Sequence, residues 1–236
     1  RAMSTGTSSG EVTHAAVGSG GSIRAAILGV NDGLVSNFSL VMGVAGGTDN
    51  ADFVLLAGVA GLLAGAFSMA AGEYVSVRSQ RDIYEHQIGV EAAELAEFPE
   101  EEHEELVLIY QTKGMTEEEA RSIADRIMAQ PEVALETMAR EELGLDPDAL
   151  GSPWGAAGSS FVAFVLGAIV PILPYAIGAA SMAFTLSAVF SAIALVLVGA
   201  FVAVNSGRSA SWGALRMLFA GGLAAAVTYS VGRLIG

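Results

Sequence analysis

A single carboxylate lies near the middle of a long apolar stretch in the N-terminal part of the chain. The run after Arg24, AAILGVNDGLVSNFSLVMGVAGG, has about the 20 residues that a helix needs to cross a bilayer, and it contains Asp32. An acidic side chain at the centre of a membrane helix costs roughly 2.5–3.5 kcal/mol or more, so it usually faces a bundle interior or a wet pathway. Asp32 therefore predicts transport of a cation or a proton.

A second acidic residue falls in another apolar run, SMAAGEYVS. Met69 and Glu73 are four residues apart and share one helix face, and Glu73 is expected at a depth close to that of Asp32. Two carboxylates that face each other there would exchange protons for a metal ion. The alternatives are a Glu73 at the interface that Arg78 or water satisfies, and a Met69 that only packs. Two further residues extend the predicted path outward with a polar and a soft ligand: Asn37 and Met42.

Glutamates in the middle of the chain are spaced for metal binding. Two E-x-x-E pairs each place two carboxylates on one helix face, where they can bind one cation or two neighbouring ones: Glu91 with Glu94, and Glu102 with Glu105. Met138 with Glu141 or Glu142 adds a thioether and an oxygen, which favours a transition metal. His86 and His103 are candidate nitrogen ligands. The alternative is a set of solvated helix faces, although repulsion between so many like charges favours a bound cation.

The composition is that of a membrane protein with one acidic segment. Of the 236 residues, 53% are hydrophobic and 15% are charged, whereas soluble domains are about a quarter charged. The segment 77–152 holds 20 acidic and 6 basic residues, which accounts for the entire net charge of −14. This balance attracts cations and argues against nucleic acid as a partner, because nothing neutralises phosphates. With no cysteine, a thiolate metal site and a disulfide framework are both excluded.

Five apolar segments are long enough to be membrane spans: 23–45, 53–77, 156–177, 182–204 and 215–235. Arginines favour one set of span ends, namely Arg24, Arg78, Arg81, Arg208 and Arg216 against Arg233. By the positive-inside rule, the N-terminus and the acidic insert are predicted to be cytoplasmic. Small residues at helix-contact spacing, such as Gly29 and Gly33, predict a tight bundle and a dimer through the first span. Pro171 and Pro174 are expected at the outer end of the third span.

The segment between the second and third spans is predicted to be helical. The second span continues without a breaker to Pro99, where a new helix starts with acidic residues in its first turn. The capping-box pattern MTEEEA opens a third helix, and a fourth follows Pro131 and ends at Gly144 and Asp146–Pro147.

No strand pattern occurs, so the predicted fold class is all-α. The chain is predicted to be a polytopic membrane protein with five transmembrane helices and a cytoplasmic helical metal-binding insert between helices 2 and 3. Its predicted parts are a disordered N-terminal lead (1–21), transmembrane helices 1–2 (22–77), the insert (78–152) and transmembrane helices 3–5 (153–236).

Four runs of the sequence resemble the vacuolar iron transporter family, in the family's order and over nearly the whole chain. They are RAAILGVNDGLVSNFSLVMGV at 24–44, SMAAGEYVSVRSQRD at 68–82, PWGAA at 153–157 and GGLAAAVTYSVGRL at 221–234. The resemblance implies a homodimeric, proton-coupled exporter of Fe²⁺, with Mn²⁺, Co²⁺ or Zn²⁺ as further substrates, and not an enzyme. The insert would collect the ion from the cytosol. The Ala/Gly-rich composition suits a bacterial inner membrane, and a eukaryotic member would lie in the vacuolar membrane.

The resemblance also implies roles for particular residues. Asp32 and Met69 match the membrane-pathway carboxylate and methionine of the family, and Glu73 lies in its G-E-[YF]-V-S motif. The two E-x-x-E pairs match the metal-binding glutamates of the insert, while Met138 and Glu142 match ligands of its last helix. Relatives can present two adjacent methionines where this chain has Met138 followed by alanine, which leaves fewer soft ligands.

Two functions of other classes fit parts of the pattern. A membrane-tethered di-iron carboxylate ferroxidase would use Glu-x-x-His pairs on two helices, and the acidic insert has one such pair, Glu100 with His103. A metal-sensing membrane protein would use the insert but has no need of a carboxylate in the first span. A transporter accounts for both Asp32 and the insert. It needs no catalytic residue, and its only bound ion is the one that it carries.

Overall fold

The computed structural model describes residues 14–145 and 151–236. These residues form eight α-helices: α1 (His14–Gly47), α2 (Ala51–Glu97), α3 (Pro99–Thr112), α4 (Glu117–Met128), α5 (Pro131–Glu141), α6 (Pro153–Ala176), α7 (Ala183–Asn205) and α8 (Ala210–Ile235). A short 3₁₀ turn, Ala180–Met182, precedes α7. The described residues contain no strand. The prediction of an all-α fold is confirmed.

Five of the helices, α1, α2, α6, α7 and α8, are long and apolar enough to cross a membrane. The prediction of five spans is therefore confirmed by helix length and hydropathy, and the largest differences lie at the starts of two helices. Helix α1 begins at His14, inside the predicted disordered lead (1–21), and α8 begins at Ala210, ahead of the predicted start at residue 215. Helix α6 includes both Pro171 and Pro174 and ends at Ala176, so the prolines lie in its last two turns.

The chain divides into two compact units, which are described separately. The membrane unit combines the residues up to Val75 with Pro153–Gly236, and the insert unit is Ser76–Ser152. Helix α2 contributes its first part to the membrane unit and its last part to the insert unit.

Helix α1 is the central helix of the membrane unit, where it packs along α6 and α8 and also contacts α7. Glycines permit its close approach to α6. A Cβ on Gly33 would meet the main chain of Phe164, and a Cβ on Gly167 would meet the main chain of Val30. Gly29 faces α6 in the same way. These glycines therefore serve packing within the chain, which accounts for the predicted tight bundle.

The insert unit has a small hydrophobic core of its own. Its members come from α3, α4 and α5 and are at most 1% exposed: Leu106, Val107, Ala120, Ala124 and Met138. The predicted capping box opens α4, where the Thr116 hydroxyl accepts from the main-chain N–H of Glu119. Helix α5 ends at Glu141, ahead of Gly144 with its positive φ of 64°, while Asp146–Pro147 lies outside the described residues.

Candidate metal sites

Three glutamates from different helices come together in the insert unit. Glu91 lies on α2, Glu102 lies in the first half of α3, and Glu142 follows the last residue of α5. One carboxylate oxygen of each lies within 4.8 Å of one carboxylate oxygen of both others. Glu91 is only 2% exposed and Glu102 only 7%, whereas Glu142 is exposed. We call this group the glutamate cluster.

Local packing explains why these glutamates converge. Glu102 precedes Leu106 by one helical turn, and Leu106 is completely buried in the core of the insert unit. Residues four apart share a helix face, so the burial of Leu106 carries Glu102 inward. Glu91 stands in the same relation to Leu95, which packs against that core. An i, i+4 leucine alone does not mark a buried glutamate, because Glu104 has Leu108 at that spacing and both are exposed.

The second glutamate of each E-x-x-E pair lies at the rim. Glu94 and Glu105 are exposed, yet their charges act on the glutamate cluster. The Glu105 carboxylate raises the pKa of both Glu102 and Glu142, and Glu94 does so to a smaller extent. All five glutamates of the predicted insert site therefore lie in one electrostatic environment, with the three of the glutamate cluster at its centre.

Burial is the largest cause of the altered acidity within the cluster. It raises the pKa of Glu91 to about 8, with the charges of Glu142 and Glu102 adding to the effect. Burial likewise raises the pKa of Glu102. Glu142 is exposed as a residue, but partial desolvation of its carboxyl group and the charge of Glu105 raise its pKa as well. Two carboxylate oxygens, Oε1 of Glu91 and Oε2 of Glu102, are buried without a hydrogen-bond partner. Buried carboxylates are normally paired or bound to a metal, so this site has unused ligand capacity for a divalent cation.

The remaining predicted ligands of the insert lie elsewhere or are already bonded. Met138 is completely buried in the hydrophobic core, one turn before Glu142. The His103 ring accepts or donates a hydrogen bond with Asp125 at 2.7 Å, which holds α3 against α4. His86 is exposed. Oxygen ligands therefore dominate the site.

In the membrane unit, Asp32 lies on an exposed face of α1. Four residues spaced one helical turn apart form this face, which we call the α1 stripe: Leu28, Asp32, Ser36 and Leu40. The Ser36 hydroxyl donates a hydrogen bond to the main-chain oxygen of Asp32, and its oxygen lies 3.1 Å from Oδ1 of the same residue. Ser36 was not among the predicted pathway residues, although it lies four residues after Asp32 and therefore on the same helix face.

Asn37 points to the other side of α1. Its side chain is 2% exposed, its Nδ2 donates to the main-chain oxygen of Ala168 at 2.7 Å, and its Oδ1 has no hydrogen-bond partner. Five residues along a helix correspond to a rotation of about 140° from Asp32. Asp32 and Asn37 therefore do not share one face of α1.

The other predicted pathway residues are partly or fully packed. Met42 is 4% exposed in the main core of the membrane unit, and Met69 is half-buried against the cluster of Ala66, Phe164 and Ala168. Glu73 is half-buried. Within residues 14–145 and 151–236, no hydrogen bond or ion pair joins Glu73 to Asp32.

Fold and site together define a class: a five-span membrane protein that carries a cluster of acidic ligands suited to a divalent cation. Comparison with known proteins gives the family. The VIT family model matches residues 23–233, and the chain belongs to this family. A protein of Acanthamoeba castellanii named vacuolar iron transporter is 37% identical over 233 residues, covering 95% of this chain and 83% of its own length.

Two proteins of Arabidopsis thaliana are similar over comparable lengths. Vacuolar iron transporter 1 is 32% identical over 90% of this chain and 86% of its own length. Vacuolar iron transporter homolog 3 is 37% identical over 91% of this chain and 83% of its own length. These relatives are named as transporters, which is a function other than catalysis.

Proposed function

We propose that this protein exports Fe²⁺ from the cytosol across a membrane in exchange for protons, with Mn²⁺, Co²⁺ and Zn²⁺ as further substrates. The observation that carries the proposal is the glutamate cluster, in which two buried carboxylate oxygens have no partner. Membership of the VIT family supports iron as the principal substrate. The five spans supply the membrane body that such transport requires.

The glutamates of the insert capture the ion in this proposal. Glu91, Glu102 and Glu142 bind it directly, and Glu94 and Glu105 add negative charge at the rim. A divalent cation replaces the protons that the raised pKa values retain on the free site, so binding releases protons. Met138 lies one turn from Glu142 and becomes a ligand only if its thioether leaves the core.

Asp32 then receives the ion within the membrane and alternates between the ion and a proton. Met69 and Glu73 are the proposed ligands on α2, and Asn37 and Met42 are the proposed polar and soft groups further out along α1. Asn37 Oδ1 supports this role because it is a buried oxygen without a hydrogen-bond partner. In the single chain Asp32 and Asn37 occupy different faces of α1, so a path that uses both needs either a movement of the helices or a second copy of the chain.

A homodimer is part of the proposal. A carboxylate exposed to lipid at mid-membrane is costly, and such residues usually face protein or a water-filled cavity. Asp32 is exposed on the α1 stripe of the single chain, so a second copy that covers this stripe would enclose a path lined by Asp32. The arginine distribution supports a cytoplasmic N-terminus and insert, in a bacterial inner membrane or, for a eukaryotic protein, the vacuolar membrane.

The ferroxidase and sensor alternatives are less well supported. His103, the histidine of the Glu-x-x-His pair in the insert, is hydrogen-bonded to Asp125. The named relatives are transporters.

Transport into proteoliposomes tests the proposal. Fe²⁺ uptake and internal pH are recorded under an imposed pH gradient for wild type, for Asp32→Ala, and for a variant with Glu91, Glu94, Glu102 and Glu105 all changed to Gln. Asp32→Ala is expected to abolish uptake and proton counter-movement while metal still binds. The fourfold variant is expected to lose binding and to transport slowly.

The matched control changes four exposed glutamates to Gln and leaves the cluster intact: Glu100, Glu101, Glu117 and Glu118. This control changes the same number of glutamates, all of them exposed, so it separates site binding from general attraction. Absence of Fe²⁺ or Mn²⁺ uptake by the wild type under every gradient would contradict the proposal.

A further inference from the structure

Ser36 and Asp32 form an oxygen pair on the α1 stripe. The Ser36 hydroxyl donates to the main-chain oxygen of Asp32, one helical turn before it. In the same arrangement, Ser36 Oγ lies 3.1 Å from the carboxylate atom Oδ1 of Asp32. Both side chains are exposed on the stripe. Two side-chain oxygens thus lie next to each other on the exposed face of one helix.

Other serines in the membrane unit show what is specific to Ser36. Ser39, Ser206 and Ser230 also bond to the main-chain oxygen four residues earlier, at 2.8, 2.8 and 2.7 Å. This is the ordinary way in which a helix satisfies a hydroxyl in an apolar environment. Ser36 differs because its hydroxyl is also within hydrogen-bond distance of the Asp32 carboxylate, at 3.1 Å, so it holds a second oxygen beside that group.

The separation of the two oxygens matches the geometry of a hydrated divalent cation. In an octahedral site with metal–oxygen distances of about 2.1 Å, neighbouring ligand oxygens are about 3.0 Å apart. The observed 3.1 Å between Ser36 Oγ and Asp32 Oδ1 fits one edge of such an octahedron. We propose that Ser36 is a second ligand of the transported cation, bound beside Asp32. The inference rests on the proposed role of Asp32 in the pathway.

A hydroxyl is a suitable second ligand at a transit site. Capture in the insert uses several carboxylates, which bind a divalent cation strongly. Conduction through a membrane requires sites that bind weakly enough to release the ion. A neutral hydroxyl adds an oxygen without adding charge, so the pair of Asp32 and Ser36 carries one negative charge and leaves the remaining positions to water. The chemical class of ligand is a divalent cation that accepts octahedral oxygen coordination.

Exchange of the ligand atom tests the inference in the full-length protein. Because the chain has no cysteine, Ser36→Cys places the only thiol at this position. A thiolate prefers softer cations than a hydroxyl does, so the ratio of Cd²⁺ to Fe²⁺ uptake is expected to rise by about tenfold or more. Ser36→Ala is expected to raise the KM for Fe²⁺ about fivefold or more, whereas Ser36→Thr keeps the hydroxyl and stays within about twofold of wild type.

The matched controls are Ser39→Cys and Ser39→Ala, one turn away on the buried side of α1. An unchanged Cd²⁺ to Fe²⁺ ratio in Ser36→Cys, or a KM in Ser36→Ala equal to that in Ser39→Ala, would overturn the inference. Asp32→Asn distinguishes an error in the proposed pathway from an error in the Ser36 assignment. If Asp32→Asn transports normally, the proposed pathway is wrong. If Asp32→Asn is inactive while every Ser36 variant behaves as wild type, only the Ser36 assignment is wrong.

Discussion

The carboxyl group of Glu91 is almost completely buried, so its effect on the free energy of unfolding depends on pH. Burial raises the pKa of Glu91 to about 8 in the folded chain, whereas an unfolded glutamate titrates near about 4.3. The folded state therefore binds this proton more tightly than the unfolded state does. Its contribution to stability is complete below the unfolded pKa and is lost as the pH rises through about 8.

We predict that the metal-free segment 76–152 becomes less stable between pH 5.5 and pH 8. Glu102 and Glu142 act in the same direction as Glu91, because burial raises the pKa of each. The Tm measured by circular dichroism with a chelator present is expected to fall by roughly 5–10 °C over this interval. Added Mn²⁺ is expected to recover most of the loss at pH 8 and little at pH 5.5, where protons compete for the carboxylates.

The variant Glu91→Gln removes the largest single source of this pH dependence, since an amide has no proton to release. Its Tm is expected to change less with pH than that of wild type, and to exceed the wild-type Tm at pH 8 without metal. Glu118→Gln, at an exposed position of α4, is the control and should follow the wild type. A metal-free wild type that gains stability as the pH rises would contradict the assignment.

At the scale of helices, hydrophobic length and turn chemistry made the architecture predictable. The five spans followed from apolar runs, and the helices of the insert from Pro99, the Thr116 capping box and Pro131, each of which acts locally. The sequence pattern did not reveal which glutamate of each pair is buried, because that depends on the packing of Leu106 and Leu95. It also did not reveal that Asn37 is buried against α6 while Asp32 is exposed.

The crossing of α1 and α6 depends on small residues at the contact. We predict that Gly33→Ala destabilises the membrane unit, because a Cβ there would meet the main chain of Phe164, which cannot move aside as a flexible side chain can. Overpacking of this kind costs typically about 1–3 kcal/mol. The Tm of the purified protein in detergent is expected to fall by several degrees.

Gly72→Ala on α2 is the matched control, because a Cβ at that position has no atom within 4 Å. Alanine also has a higher helix propensity than glycine, so this control is expected to leave the Tm unchanged or to raise it slightly. If both variants lowered the Tm equally, glycine would matter at position 33 for a reason other than contact with α6.

In the whole molecule, the negative charge is concentrated in one segment and the membrane-spanning part is neutral. The segment 77–152 carries the entire net charge of −14, while the rest of the chain is balanced. An acidic unit concentrates cations near itself, and a neutral body is what a bilayer accepts. Two carboxylates lie within the predicted spans of this neutral body, Asp32 and Glu73. Of the two, Asp32 is exposed on the α1 stripe, which is the physical reason to expect a second copy of the chain.

We predict that two copies meet along the α1 stripe, which cysteine crosslinking in native membranes can test. A symmetric dimer brings the same surface of both copies together, so a residue near its axis lies opposite itself. The chain has no cysteine, and Leu28→Cys and Leu40→Cys each place one thiol on the stripe, one turn from the polar pair.

Both variants are expected to form disulfide-linked dimers under mild oxidation, with a yield that does not change over about a tenfold range of lipid-to-protein ratio, because a stable interface does not depend on chance collision. Leu197→Cys on α7 is the control, since it is 63% exposed and lies on another helix. Its crosslinking should be weak and should fall on dilution with lipid. Equal crosslinking at all three positions would mean that the stripe is not an interface. Asp32 would then have to be hydrated by water that enters the membrane beside α1.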